Sequence, residues 1–269
     1  MKYAIPTYAR FNTLNEKTLA YLDKHKIPHE EIYIFIRNGD PDFDKYKALR
    51  NLEYNVVACD SVGAGMKHNF ITTYFEEGEF IIELDDDIKD LIDEYKNSIT
   101  DFTAKLDDMI DIMTLENINY GGIYSCDNAF FMWNCEKYTR DLRYMLGVLR
   151  VRRICKDVIV KTNFAEDFEF CLRHFVRDGK ILKNNHIGPK TSLYAKGGNQ
   201  SAGRNNETEK IDKELVHSEF PELSKLFQRK NGKWDLRIKS YKPKKIKVKK
   251  EEVVINTSSL EDTPVVETQ

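Results

Sequence analysis

The chain has 269 residues, 41% of them hydrophobic, with 42 lysines and arginines against 44 aspartates and glutamates and a net charge of -2. That length suits one substantial core and one catalytic-sized domain, and the near balance of charge does not mark a nucleic-acid binder. Five cysteines without a CxxC pair argue against a zinc knuckle or a disulfide framework, and no stretch approaches the roughly 20 apolar residues that span a bilayer, so the expectation is a soluble cytoplasmic protein.

Met1 to Pro6 reads as a strand start, with Tyr3 to Ile5 as the strand, and not as a signal peptide. Leu14 to Lys26 has helical spacing. Ile32 to Arg37 is a β-branched strand stopped by Asn38-Gly39-Asp40-Pro41, a strong turn signal. Tyr46 to Leu52 reads as a short helix, Asn55 to Cys59 as a third strand, Lys67 to Phe75 as a helix, and Phe80 to Leu84 as a fourth strand. Strands separated by short helices indicate a mostly parallel sheet with right-handed crossovers, whose ligands gather outside the carboxyl ends of the strands. Asn38 to Asp42, Asp60 to Gly65 and Asp85 to Asp87 all lie at such ends.

The second half reads as mixed. Phe102 to Thr114 is a predicted helix, and Gly121 to Ser125 and Ala129 to Trp133 are predicted strands. The span Thr162 to Arg177 holds an amphipathic helix with Phe168, Cys171, Leu172 and Phe175 on one face, closed by Gly179 as a C-cap and followed by an extended Lys180 to Asn184. From Arg237 to Lys250 the chain is strongly basic, then acidic and rich in Thr and Ser. Residues 1–241 are therefore expected to form the domain and 242–269 a flexible charged tail.

The most informative run is Phe80 to Ile88, an apolar strand ending in Asp85, Asp86 and Asp87. Three carboxylates at a strand end repel one another, and an oxygen-liganded divalent cation carrying a diphosphate converts that repulsion into binding. The bland alternative is a solvated turn that caps a helix from Ile88 to Lys96. Gly63 to Asn69 lies between strand and helix, where glycine lets backbone approach a ligand and a helix N-terminus favours an anion. Within it, Lys67 or His68 could neutralise a diphosphate. Glu166-Asp167 opens the amphipathic helix, where the dipole stabilises a carboxylate that would take a proton from an attacking hydroxyl. Thr191 to Ser201, with Gly197 and Gly198, reads as a lid, and His186 is a candidate third metal ligand.

Taken in order, Ile5-Pro6-Thr7-Tyr8 with Arg10, an acidic turn after the second strand, Gly63 to Asn69, the acidic triplet and Glu166-Asp167 resemble the GT-A nucleotide-sugar glycosyltransferases. Within that class the chain looks most like the TET-associated glycosyltransferases of bacteriophage DNA base modification. The segments IPTYAR, GAGMKHNFITTYF, FIIELDDDI, GGIYSCDNAFFM, DLRYMLG, AEDFEFCLRHFVRDGK and IGPKTSLYAKGG carry the resemblance over nearly the whole chain up to the tail.

The resemblance implies a GT-A, Rossmann-like sheet flanked by helices, with a mixed acceptor-side C-terminal half. Pro6, Thr7, Tyr8 and Arg10 would lie beside the nucleotide, and Asp40 or Asp42 would face its base or ribose. Gly65, Lys67, Asn69, Asp85, Asp86, Gly197 and Gly198 would complete the donor site, with Asp85 on the ribose or metal, Asp87 on Mn²⁺ or Mg²⁺, and Asp167, beside Glu166, as the base if the enzyme inverts, whereas a retaining enzyme would use it to hold acceptor or donor. Lys67-His68 departs from the arginine that related enzymes often carry before the asparagine. The implied activity is transfer from a nucleotide-sugar, with UDP as the first candidate nucleotide, to 5-hydroxymethylcytosine or 5-hydroxymethyluracil in DNA. Tyr124, Phe130, Phe131 and Trp133 are candidate stacking surfaces, against the plainer reading of core aromatics.

Three alternatives stand beside this reading: the same chemistry on a glycan or protein hydroxyl, nucleotidyl transfer, and DNA binding without catalysis. Nucleotidyl transfer expects a glycine-rich basic signature after the first strand, where this chain has Pro6 to Arg10.

Overall fold

The computed structural model describes residues 1–191 and 203–239. At its centre is an eight-stranded sheet in the order β3-β2-β1-β4-β8-β6-β9-β7. Its first half is β1 (Lys2–Pro6), β2 (Ile32–Arg37), β3 (Asn55–Cys59) and β4 (Phe80–Leu84), all mutually parallel. Beyond β4 the sheet turns mixed. β8 (Leu149–Arg153) runs antiparallel to both β4 and β6 (Tyr120–Ile123), β9 (Leu182–Asn184) is parallel to β6, and β7 (Tyr138–Thr139) closes the edge antiparallel to β9. The parallel first half and mixed second half are as the alternation of elements predicts.

Both faces of the sheet are covered, and alternation along each strand decides which side chain goes where. Tyr3, Ile5, Ile34, Ile36, Ile82 and Leu84 point to one face. There they meet a continuous helix made of α1 (Phe11–Thr13), a π-helical stretch (Leu14–Leu19) and α2 (Ala20–Lys24), together with α5 (Phe102–Leu115). Ala4, Phe35 and Ile81 point to the other face, onto Ile71 of α4 (Ala64–Tyr74) and Phe75, which follows it. The other α-helices among the described residues are α3 (Phe43–Ala48), α6 (Ala129–Trp133), α7 (Glu166–Asp178) and α8 (Asn206–Glu219). A second core joins Phe170, Cys171, Leu172 and Phe175 of α7 to Val216 of α8 and to Leu236 and Ile238 of the hairpin β11 (Ser224–Gln228) and β12 (Trp234–Ile238). A further antiparallel pair joins β5 (Ile88–Ile92) to β10 (Gly188–Thr191).

Two local expectations are corrected. Ile88 to Lys96 is not a capped helix: Ile88, Leu91 and Ile92 are buried in β5, because the β-branched and apolar positions find a strand partner in β10. Ala129 to Trp133 is the short helix α6 and not a strand. Asn128 caps it by accepting from the Phe130 N–H, and Phe130, Phe131 and Trp133 stand exposed on its surface while Ala129 and Met132 are buried. Gly179 closes α7 with φ +73°, as expected of a left-handed C-cap. Among the described residues no helix is long and apolar enough to cross a membrane, and all five cysteines are free thiols.

Candidate active site

The carboxyl ends of the four parallel strands open into one cleft of about 920 Å³. Thr7 follows β1, Arg37 ends β2, Ser61 to Ala64 follow β3, and Asp85 to Asp87 follow β4. On the far side the cleft is walled by Tyr144, Arg150 and Phe164 to Phe168, and it continues to α8 and the β11–β12 hairpin.

The aspartate turn is held from outside the sheet. Thr18, in the π-helical stretch, donates its hydroxyl to the Asp85 carbonyl at 2.8 Å and accepts from the Ile88 N–H at 3.0 Å, so one side chain clamps both ends of the turn. The Asp85 N–H donates to the Val148 carbonyl at 3.0 Å, which ties the turn to the start of β8. Inside it the three carboxylates are treated differently. Asp86 accepts from the Thr7 hydroxyl at 2.6 Å and pairs with Arg10 at 2.7 Å. Asp87 takes the second Arg10 nitrogen at 2.9 Å. Burial nonetheless pushes the Asp86 carboxyl up to about 6, outweighing Arg10 and Thr7. Asp85 is pushed well above the usual carboxylate value, first by burial and then by the charge of Asp87, with Arg150 opposing.

Glu166 and Asp167 open α7, where the helix dipole favours negative charge. Arg150 donates to Asp167 Oδ1 and, at 2.5 Å, to Glu83 Oε1. Tyr144 donates to Asp167 Oδ2 at 3.4 Å. Behind this pair lies a buried network. Arg152 bridges Glu83 at 2.6 Å and Thr72 at 2.6 Å, and His68 Nδ1 meets Glu83 Oε1 at 2.8 Å. Glu83 and Arg150 are direct cross-strand partners on β4 and β8. Burial alone would raise Glu83, but His68, Arg152 and Arg150 outweigh it and hold the carboxyl well below its usual value. Glu166 behaves oppositely: burial and then the Asp167 charge push it well above the usual range. Two adjacent carboxylates thus sit in unlike surroundings, Asp167 paired with Arg150 and Glu166 buried.

Most of the residues singled out from sequence converge here. Pro6, Thr7, Tyr8, Arg10, Lys67, Asp85, Asp86, Asp87, Glu166 and Asp167 all line the cleft. Lys67 is buried and donates from Nζ to the Thr7 carbonyl, and burial lowers its pKa. Five others do not line it. Asp40 is a buried turn former whose carboxylate accepts from the Ala9 and Asp42 N–H groups, each at 2.9 Å, and Asp42 pairs with Lys45. Gly65 is required by packing, since a Cβ there would stand 1.8 Å from the Thr162 carbonyl oxygen. Asn69 latches α4 to Val160, donating to its carbonyl at 2.7 Å and accepting from its N–H at 2.9 Å. His186 has both ring nitrogens engaged away from the cleft, by the Cys135 carbonyl at 2.9 Å and Glu94 at 3.2 Å. Tyr124, Phe130, Phe131 and Trp133 also lie outside the cleft lining. Gly197, Gly198 and the tail fall outside the described residues.

The structure adds residues that sequence reading missed. Arg150 and Arg152 lie in Leu149–Arg153, whose three arginines disguise a buried strand. Arg37, Arg204 and the hairpin wall carried no motif.

The acidic turn suits a divalent metal by its donor chemistry. Asp85 has no side-chain hydrogen bond among the described residues, faces the charge of Asp87, and offers the hard oxygen donors that Mn²⁺ or Mg²⁺ takes together with phosphate oxygens and water. A second cluster, Glu77, Cys155 and Asp157, is less suited. Its thiol is pushed up to about 11 by burial, and Asp157 is already paired with Arg177.

No family model and no curated protein matches the chain. Among solved structures, glucosyl-3-phosphoglycerate synthase from Mycobacterium tuberculosis, in complex with Mn²⁺, UDP and phosphoglyceric acid, is similar with a TM-score of 0.50. The identity is 12%, over 90% of this chain and 87% of that one. The same synthase with Mg²⁺ and UDP gives a TM-score of 0.50 at 13% identity, over 89% and 86%. S. aureus TarS 1–349 gives 0.48 at 17% identity, over 82% and 72%. At such identities the likeness to the synthase is one of fold: the chain has the α/β architecture of GT-A glycosyltransferases, with a mostly parallel central sheet and flanking helices.

Proposed function

We propose that the protein is a metal-dependent glycosyltransferase that moves a sugar from a nucleotide-sugar, a UDP-sugar first among donors, to the hydroxymethyl group of a modified pyrimidine in DNA. The observation that carries this reading is the meeting in one cleft of the acidic turn after β4 and the carboxylate pair at the start of α7. In the synthase of shared fold the solved complexes hold UDP with Mn²⁺ or Mg²⁺. The acceptor follows from the segments that resemble the DNA-modifying transferases.

In this reading Pro6, Thr7, Tyr8 and Arg37 embrace the nucleoside, and Asp85 and Asp87 hold the metal. The bound ion supplies Lewis-acid stabilisation of the departing diphosphate. Arg10, now shared between Asp86 and Asp87, fixes the geometry of the turn. Asp167, oriented by Arg150 and Tyr144, takes the proton of the acceptor hydroxyl as its oxygen attacks the anomeric carbon and the bond to the diphosphate breaks. Burial raises the neighbouring Glu166 carboxyl well above its usual range, which favours its protonated, hydrogen-bond-donating form. A base within a duplex would have to leave its stack to reach the cleft.

Mass spectrometry of nucleosides from DNA containing 5-hydroxymethylcytosine or 5-hydroxymethyluracil, incubated with the protein, Mn²⁺ and a panel of nucleotide-sugars, tests the reading. A pentose or hexose mass on one modified base is the expected result. Metal-dependent donor hydrolysis without transfer to DNA would keep the donor chemistry and move the acceptor to a glycan or protein hydroxyl.

A further inference from the structure

We propose that the outward face of the β11–β12 hairpin binds the phosphates of a single DNA strand and so holds the acceptor while its modified base enters the cleft. This rests on the DNA-acceptor reading and adds to it the surface that recognises the strand. The hairpin has two unlike faces. Leu226, Leu236 and Ile238 pack into or against the second core. The alternate positions Lys225, Phe227, Arg229, Asp235 and Arg237 point the other way by the period of a strand. Of these, Phe227, Arg229, Asp235 and Arg237 line the same cleft as Asp85 and Asp167.

The opposed cations Lys225 and Arg237 on this face have no carboxylate opposite them in the ladder. Lys225 stands directly opposite Arg237 in the ladder, and both are exposed. Like charges at opposed positions destabilise a strand pair. Arg229 is answered by Asp235 at 2.7 Å. Asp235 is, however, the one carboxylate between Ser224 and Lys239, against Lys225, Arg229, Lys230, Lys233, Arg237 and Lys239. An anion spaced along the strands turns this repulsion into binding, and a phosphodiester backbone supplies such a series of charges. An aromatic ring lies among the cations: the Arg237 guanidinium is 5.2 Å from the Phe227 ring centre. Cations that track a backbone beside rings that take bases are the pattern of single-strand binding. A neutral glycan would leave the opposed cations unanswered.

Fluorescence anisotropy with a labelled single-stranded oligonucleotide of about 20 nucleotides, read across a salt series on the full chain and on Lys225→Glu, tests the assignment. The substitution removes one cation and pairs Arg237. The variant should bind about tenfold more weakly, with a log–log salt slope shallower by about 2. Its melting temperature should be equal or higher, because a repulsive cross-strand pair becomes attractive. Lys225→Gln should lose about half of that slope. Unchanged affinity and slope in Lys225→Glu would overturn the proposal. Inorganic polyphosphate of matched charge competing as well as DNA would overturn the nucleic-acid assignment. Hairpin-dependent DNA binding without sugar transfer from any donor would leave the surface standing and remove the activity. Transfer to DNA with Lys225→Glu binding as wild type would do the reverse.

Discussion

At the scale of single residues the site is a set of carboxylates in unequal surroundings. Asp87→Ala removes one of the two carboxylates assigned to the metal, so calorimetry should show loss of Mn²⁺-dependent UDP binding; binding equal to wild type would defeat the assignment. Asp167→Asn keeps the shape but not the basicity, and should retain UDP–Mn²⁺ binding while transfer falls by about 10²–10⁴-fold. The pH dependence follows from Asp86, whose carboxyl is pushed from 3.8 to about 6 by burial against the pull of Arg10 and Thr7. A raised carboxyl favours the protonated fold. The metal-free protein therefore loses stability from this group as pH rises from 3.8 through about 6. Because a cation competes with protons for the aspartate turn, Mn²⁺ affinity should climb as pH rises, with the raised carboxyl of Asp85 as the ligand that must lose its proton. A flat titration between pH 5 and 7 would remove burial as the controlling influence. Asp85 to Asp87 were legible as an acidic triplet. That Arg10 spans two of them and leaves the third without a side-chain hydrogen bond among the described residues was not, since β1 and β4 lie far apart in sequence and meet only in the sheet.

At the scale of elements, α4 shows how a motif can be right in position and different in purpose. Gly63 to Asn69 does open a helix beside the cleft, and Gly63 and Ala64 line it. Gly65 and Asn69 serve instead to seat that helix against 160–162. Asn69→Ala leaves the Val160 N–H and carbonyl without their partner and should cost about 2 kcal/mol, a fall in melting temperature of about 4–8 °C. UDP binding by the folded fraction should survive, and loss of UDP binding at full stability would return Asn69 to the donor site. The same separation holds for Ala129 to Trp133. Five apolar and aromatic residues read as a strand, but Asn128 supplies an N-cap and only Ala129 and Met132 find a core, so the segment coils into a turn and a half of helix.

At the scale of the whole molecule, Glu83, Arg150, Arg152 and His68 form a buried network that joins β4, β8 and α4 behind Asp167. Removing one partner of such a network strands the others. Glu83→Ala should cost about 3–5 kcal/mol in urea unfolding at neutral pH. Glu83 is held well below 4.5 by His68, Arg152 and Arg150 against the effect of burial, so its stabilisation is fully present above pH 4.5 and is lost as pH falls through its lowered value. The gap between wild type and variant should narrow below pH 4.5, and a gap that stayed constant would assign the loss to packing alone. By itself the sequence determined the alternation of β1 to β4 with short helices, the carboxyl-end position of the aspartates and the helix that begins at Glu166, because hydrophobic period, turn residues and caps act within a few residues of one another. Only the tertiary structure decided that Leu149–Arg153 is a buried strand, that Arg150 reaches both Glu83 and Asp167, and that a basic hairpin walls the same cleft. A buried charge can be recognised only by the partner that neutralises it, and here those partners lie on other strands and helices, brought within reach by the sheet.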